Sequence, residues 1–173
     1  MARTDIAAAA PEIADFARVF RNHPAGVAVI TADSPSGPVA LTATSLISIS
    51  AAPPVAAFAV SDLSSTAPAI RAARTLVIHM LAVEHRGLAV LGATHGADRF
   101  AGVAWSRLPT GEPRYDDVPV WMRGEVLNVM PVPGSTLIVA QLLQIAHDGA
   151  EHSPLVYHDR AWHGISERSL LER

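Results

Sequence analysis

Residues 39–50 read VALTATSLISIS, from Val39 to Ser50, and this run decides the fold. Its second half alternates, with Leu46, Ser48 and Ser50 facing one way and Ile47 and Ile49 the other. A period of two belongs to a β-strand. Upstream, Gly26–Thr31 (GVAVIT) is a second strand-like run, rich in β-branched residues. Between the two, Asp33–Pro38 (DSPSGP) is dense in turn formers, which predicts a hairpin loop. Downstream, Ala51–Pro54 breaks the run and Val55–Val60 follows as a short, almost wholly apolar strand of the buried kind.

The pattern continues along the chain. Thr75–Ala82 reads as a strand, and Val118–Met130 and Ser135–His147 are two long strand-like runs joined by Pro131–Gly134. Leu155–His158 and Ala161–Ile165 form a last hairpin around Asp159-Arg160. Helical signals are fewer. Ile13–Asn22 places Ile13, Phe16, Ala17 and Phe20 on one face, with Pro11 before it and Pro24 after it. Thr66 can cap a short helix that has Ala67 and Pro68 in its first turn and turns Ile70 inward. Glu84–Ala93 reads as a helix, Ala97–Val103 as another helical turn, and Thr110–Asp117 as a loop. About seven strands with a few short helices point to a mainly β, mostly antiparallel barrel. No GxGxxG follows a strand and no GxxxxGK[ST] occurs, so dinucleotide and P-loop folds lack support.

Composition narrows the function classes. The chain has 173 residues, half of them hydrophobic and 17% charged, which suits one packed domain over residues 11–173 after a frayed arm at 1–10. The net charge of −3 offers no basic surface for nucleic acid. There is no cysteine, hence no disulfide scaffold, Cys-ligated metal or thiol nucleophile. No apolar run has the length of a membrane span, and the expected location is the cytoplasm. His147, Asp148, Glu151 and His152 share one polar stretch, read as a solvated turn and not a metal site.

Two groups of hydroxyls stand out. Thr42, Thr44 and Ser45 flank Ala43 in what reads as the middle of a strand. Ser61, Ser64, Ser65 and Thr66 form a polar loop that runs into a helix start, where free N–H groups favour an anion. Taken alone, the first group is ordinary strand composition and the second an ordinary capping loop.

Six stretches, in order and at matching spacing, resemble the flavin reductase-like family, whose fold is the FMN-binding split barrel. They are Phe20–Thr31, Leu41–Ser50 followed by Pro53-Pro54, Ser64–Ile70, His79–Leu81, Asp98–Gly102 and Pro154–His158. The resemblance implies an NAD(P)H:flavin oxidoreductase that uses FMN, or FAD, as cofactor and NADH or NADPH as substrate. Reduced flavin would pass to a partner monooxygenase, and the assembly would be a homodimer. It places Thr42, Ala43, Thr44 and Ser45 against the flavin ring and ribityl chain, and Ser61, Ser64, Ser65 and Thr66 at the ribityl chain or phosphate. Arg99, in Asp98-Arg99-Phe100, becomes the phosphate's cation, with Phe100 a packing aromatic; the competing reading is an exposed Arg99 paired with Asp98. The family pattern assigns no essential acid or base, because the cofactor carries the hydride chemistry. One departure stands: many relatives have Gly-Asp-His where this chain has Pro133-Gly134-Ser135-Thr136. Two further readings follow: a flavin-binding protein with little reductase activity, and a split barrel that binds another cofactor. His23, His152 and His158 are the histidines that could enter the site.

Overall fold

Strand β2 (Ala28–Ser34) shows how the centre is built. Its first five residues are all buried, because it is covered on both sides. Ala28, Ile30 and Ala32 point into one apolar cluster and Val29 into another. A strand with two covered faces loses the polar alternation of a surface strand. The computed structural model describes residues 12–171, so the arm expected at 1–10 lies outside the described residues.

The principal sheet has seven strands in the order β3-β2-β6-β9-β10-β5-β4. These are β3 (Gly37–Ala43), β4 (Ile47–Ala51), β5 (Pro54–Ser61), β6 (Thr75–Met80), β9 (Trp121–Val132) and β10 (Ser135–Ala146), together with β2. Every pairing in it is antiparallel. The sheet curls around the first cluster, in which Phe58, Ile70, Leu76, Ile78 and Ile138 are fully buried. Its two edges, β3 and β4, are consecutive in the chain yet lie at opposite ends of the strand order. The short segment Thr44–Leu46 bridges them, so the barrel is closed by chain rather than by a hydrogen-bond ladder.

Smaller elements cover the outside. Strands β1 (Ala25–Gly26), β11 (Leu155–His158) and β12 (Ala161–Gly164) make a three-stranded sheet, and β7 (Trp105–Arg107) pairs with β8 (Pro113–Tyr115). Helix α2 (Ala67–Ala72) plugs the first cluster with Ile70, and α3 (Arg86–Ala93) packs on β3 and β2. The second cluster lies between these covers and the sheet, and holds Val29, Ala89, Phe100, Tyr115 and Val118. At its centre His79 is fully buried and satisfied on both ring nitrogens: Nδ1 donates to the Val29 carbonyl (3.1 Å) and Nε2 accepts the Tyr115 N–H (3.0 Å). One imidazole thereby ties β6 to β2 and β8.

Several expectations are corrected. The run Val39–Ser50 is two strands, broken at Thr44–Leu46, because the Ser45 side chain takes over the backbone partners there: its Oγ accepts the Ala59 N–H (2.9 Å) and donates to the Ala59 carbonyl (3.3 Å). The loop expected over Asp33–Pro38 shrinks to Pro35-Ser36, since Asp33 pairs with Pro38 and Ser34 with Gly37. Ala97–Val103 forms turns and no helix, with Gly102 at φ 72°. Thr110–Asp117 contains β8, whose pairing with β7 brings Tyr115 into the core. Helix α1 (Ile13–Arg21) forms, but Ile13, Phe16, Val19 and Phe20 all stay exposed in the single chain.

Candidate active site

The bridge between β3 and β4 separates two clefts. The first, of about 340 Å³, lies between the end of β5, the loop into α2 and the C-terminal end of α3. Thr42, Ser61, Ser64, Ser65 and Arg99 all line it. The second, of about 520 Å³, lies between α1, the start of β4 and the β11–β12 turn, and Thr44 and Ser45 line it. The four-residue stretch Thr42–Ser45 therefore runs from one cleft to the other.

Arg99 is the charged group of the first cleft. It is 7% exposed and has no carboxylate partner among the described residues. Its Nη1 donates to the Ala40 carbonyl (2.5 Å) and the Thr66 hydroxyl (3.2 Å), and its Nη2 to the Thr94 carbonyl (3.1 Å). Its Nε is buried and unpartnered. Tyr115 holds the backbone in place by donating its hydroxyl to the Arg99 carbonyl (2.7 Å). Burial lowers the Arg99 pKa from its ordinary value, yet three hydrogen bonds to neutral oxygens keep the guanidinium oriented. A buried, unpaired cation is expensive unless an anion completes it. Asp98 is not that anion; its carboxylate accepts the Phe100 N–H (3.0 Å).

The hydroxyls around Arg99 divide by role. Thr66 does not cap α2 through its side chain; its Oγ1 meets Ser64 Oγ (3.0 Å) and accepts from Arg99. Thr42 Oγ1 donates to the Ala89 carbonyl (2.7 Å) and so pins α3 against β3. That approach is close enough to require a glycine: a Cβ on Gly92 would lie 2.5 Å from Thr42 Oγ1. Ser65 lines the cleft, and Ser61 lines it while its Oγ accepts the Leu63 N–H (3.3 Å). A cation with no carboxylate partner among the described residues and three serine hydroxyls around one cleft fit a phosphate monoester. The second cleft, with Phe20, Ile47 and Tyr157 in its wall, fits a planar ring. The residues present therefore suit a flavin mononucleotide.

Other expected residues fall elsewhere. Ala43 is buried in the barrel core. Phe100 packs in the second cluster, stacked on Tyr115 (5.2 Å between centroids) and edge-on to Trp105 (5.0 Å), and lines neither cleft. Ser135 pairs with Ser61 across the β5–β10 ladder. His23 and His158 line the second cleft. His152 lies apart, between Glu84 (3.1 Å) and Asp148 (3.0 Å), and hydrogen bonds to both carboxylates raise its pKa, Asp148 first.

The flavin reductase like domain model matches residues 20–166, most of the chain. The chain belongs to the flavin reductase like family. An NADH:FMN oxidoreductase from Rhodococcus erythropolis is 39% identical over 162 residues, covering 88% of this chain and 84% of that protein. A protein named FMN reductase (NADH) RutF, from Variovorax paradoxus, is 32% identical over 155 residues, covering 88% and 86%. Among solved structures, a flavin reductase domain protein from Arthrobacter sp. FB24 superposes with a TM-score of 0.85 at 31% identity, over 92% of this chain and 98% of its own. The split barrel and the motif order expected from the sequence are those of this family.

Sequence reasoning missed other residues that line the clefts. His95 and Gly92 join the first, and Phe20, Arg21, Tyr157 and Arg160 the second. Phe20 and Tyr157 lay inside the family-like stretches, but nothing in their spacing marks them as neighbours. They meet only because β1 pairs with β11 beside α1.

Proposed function

We propose that this flavin reductase family member is an NADH-dependent FMN reductase, and that residues 11–173 act as one domain. The observation that carries the reading is Arg99, a buried cation with no acid partner among the described residues, at the end of a hydroxyl-lined cleft. Arg99, Ser61, Ser64 and Ser65 hold the flavin phosphate. Thr44 supplies a hydroxyl beside the ring, Ser45 lines the same wall with its hydroxyl held by Ala59, and Phe20, Ile47 and Tyr157 keep water from one side of the ring. When bound, the flavin would supply the hydride-accepting ring, and the nicotinamide nucleotide would be the hydride donor. The chain's own task is positioning, and it lends no side chain to the chemical step. Reduced flavin then serves a partner monooxygenase. Two copies of the chain associate, and the protein works in the cytoplasm.

The test is consumption of NADH and NADPH with FMN, FAD or riboflavin added. Rapid oxidation of NADH that depends on FMN is the expected result. No oxidation, with FMN still bound in a fluorescence titration, would sink the reductase reading. It would instead favour a flavin carrier in which Ser135 marks a lost function.

A further inference from the structure

The second cleft carries charge at its mouth that the flavin does not use. Arg21, at the last residue of α1, and Arg160, at the tip of the β11–β12 turn, both line it. Neither makes an ion pair among the described residues. Asp159 is the single acidic residue on the same lining, which thus holds two arginines and one carboxylate.

The turn that presents Arg160 is held in an uncommon conformation. Asp159 and Arg160 have φ of 45° and 63°, the left-handed region that two-residue hairpin turns require and that glycine and asparagine fill most easily. The Asp159 N–H donates to the Arg21 carbonyl (3.0 Å), which fastens the turn to the end of α1. One hydrogen bond thus sets both arginines on the lining of one cleft. Strain at a non-glycine turn residue beside a cleft points to function.

We propose that Arg21 and Arg160 bind the pyrophosphate of the nicotinamide dinucleotide, so that the reductant is recognised by its phosphates at the mouth of the second cleft. This rests on the reductase reading above. With the flavin phosphate at Arg99 and the ring beside Thr44 and Ser45, a nicotinamide on that ring lies in the second cleft. Its two phosphates, one negative charge each, then leave past the rim. Guanidinium forks match phosphate oxygens, and an unpaired pair of them draws an anion to the opening.

The experiment compares kcat/KM for NADH with that for benzyl dihydronicotinamide, a reductant without phosphate, in FMN-loaded protein. Arg160→Gly removes the side chain and suits the turn, so folding is protected; Arg21→Ala sits at an exposed helix end. Each variant should lower the NADH-to-benzyl ratio about tenfold, and the pair more. Calorimetry with ADP-ribose, which has the phosphates and no nicotinamide, should show the same loss of affinity, and Arg160→Lys should recover part of it. A ratio and an ADP-ribose affinity that stay at wild-type values overturn the proposal, as does a parallel fall with both reductants. Wild-type protein that oxidises neither reductant overturns the reductase reading, and the rim with it.

Discussion

At the residue scale, Arg99 and His79 show two ways to bury a titratable group. Arg99 stays charged, oriented by the Ala40 and Thr94 carbonyls, with a buried Nε that has no partner among the described residues. Arg99→Ala should weaken FMN binding by about 1.5–3 kcal/mol, the scale of a charge-assisted hydrogen bond. Fluorescence titration reads this directly, and unchanged affinity would remove Arg99 from the site. Thr44→Val should weaken FMN binding while leaving thermal stability near wild type, since Thr44 lies in the bridge and outside the sheet. His79 is buried neutral: burial, partly offset by its bond to Val29, lowers its pKa from 6.5 to about 4. Between those values the unfolded chain binds a proton that the folded one refuses. The contribution of His79 is therefore intact above pH 6.5 and is lost as pH falls toward 4, by about 3 kcal/mol. Urea unfolding at neutral pH and near pH 4.5 should show the loss. His79→Gln, which never charges, should be weaker at neutral pH but flatter across the range.

At the element scale, α3 is positioned by one glycine. Gly92→Ala drives a Cβ to within 2.5 Å of Thr42 Oγ1, so either Thr42 releases the Ala89 carbonyl or the helix lifts from β3. Overpacking of this kind costs about 1–3 kcal/mol, and it deforms the cleft that Gly92 lines. Both the melting temperature and FMN affinity should drop. Gly87→Ala is the control on the same helix: its Cβ would meet nothing within 4 Å, so stability should hold or rise by up to about 1 kcal/mol. Equal effects at the two positions would discard the close-approach argument. Element boundaries also show where sequence periodicity stopped short. VALTATSLISIS has no glycine or proline at the Thr44–Leu46 break, because a serine side chain, and no turn residue, replaces the ladder there. Strand β8 was hidden because Gly111 and Pro113 read as loop while Tyr115 carries the burial.

At the scale of the whole molecule, the exposed apolar residues need a cover. Ile13, Phe16, Val19 and Phe20 on α1, Ile47 and Ile49 on β4, and Leu143 and Ile145 on β10 are each about half exposed or more. Side chains of this size left in water are unfavourable, and a second copy is the partner proposed for them. Sedimentation equilibrium should give twice the chain mass of 18.2 kDa. The double substitution Leu143→Glu with Ile145→Glu should shift the population to monomer, because carboxylates would have to be buried. A wild-type monomer at micromolar concentration would set the dimer aside.

A mainly β, mostly antiparallel barrel and the lack of a dinucleotide-fold phosphate loop were legible in the sequence alone. Thr42, Ser61, Ser64, Ser65 and Arg99 were named as site candidates through the family resemblance, and the fold brings them to one cleft. Local composition carries the strand runs and the hydroxyl-rich loops because strand propensity and turn residues act over a few neighbouring residues. The closure of the barrel through Thr44–Leu46 and the reach of His79 to both Val29 and Tyr115 came from the three-dimensional fold. It alone also set Phe20, Arg21, Tyr157 and Arg160 around one cleft. Those contacts join residues far apart in the chain. They follow from which strand pairs with which, and no period in a single sequence encodes that choice.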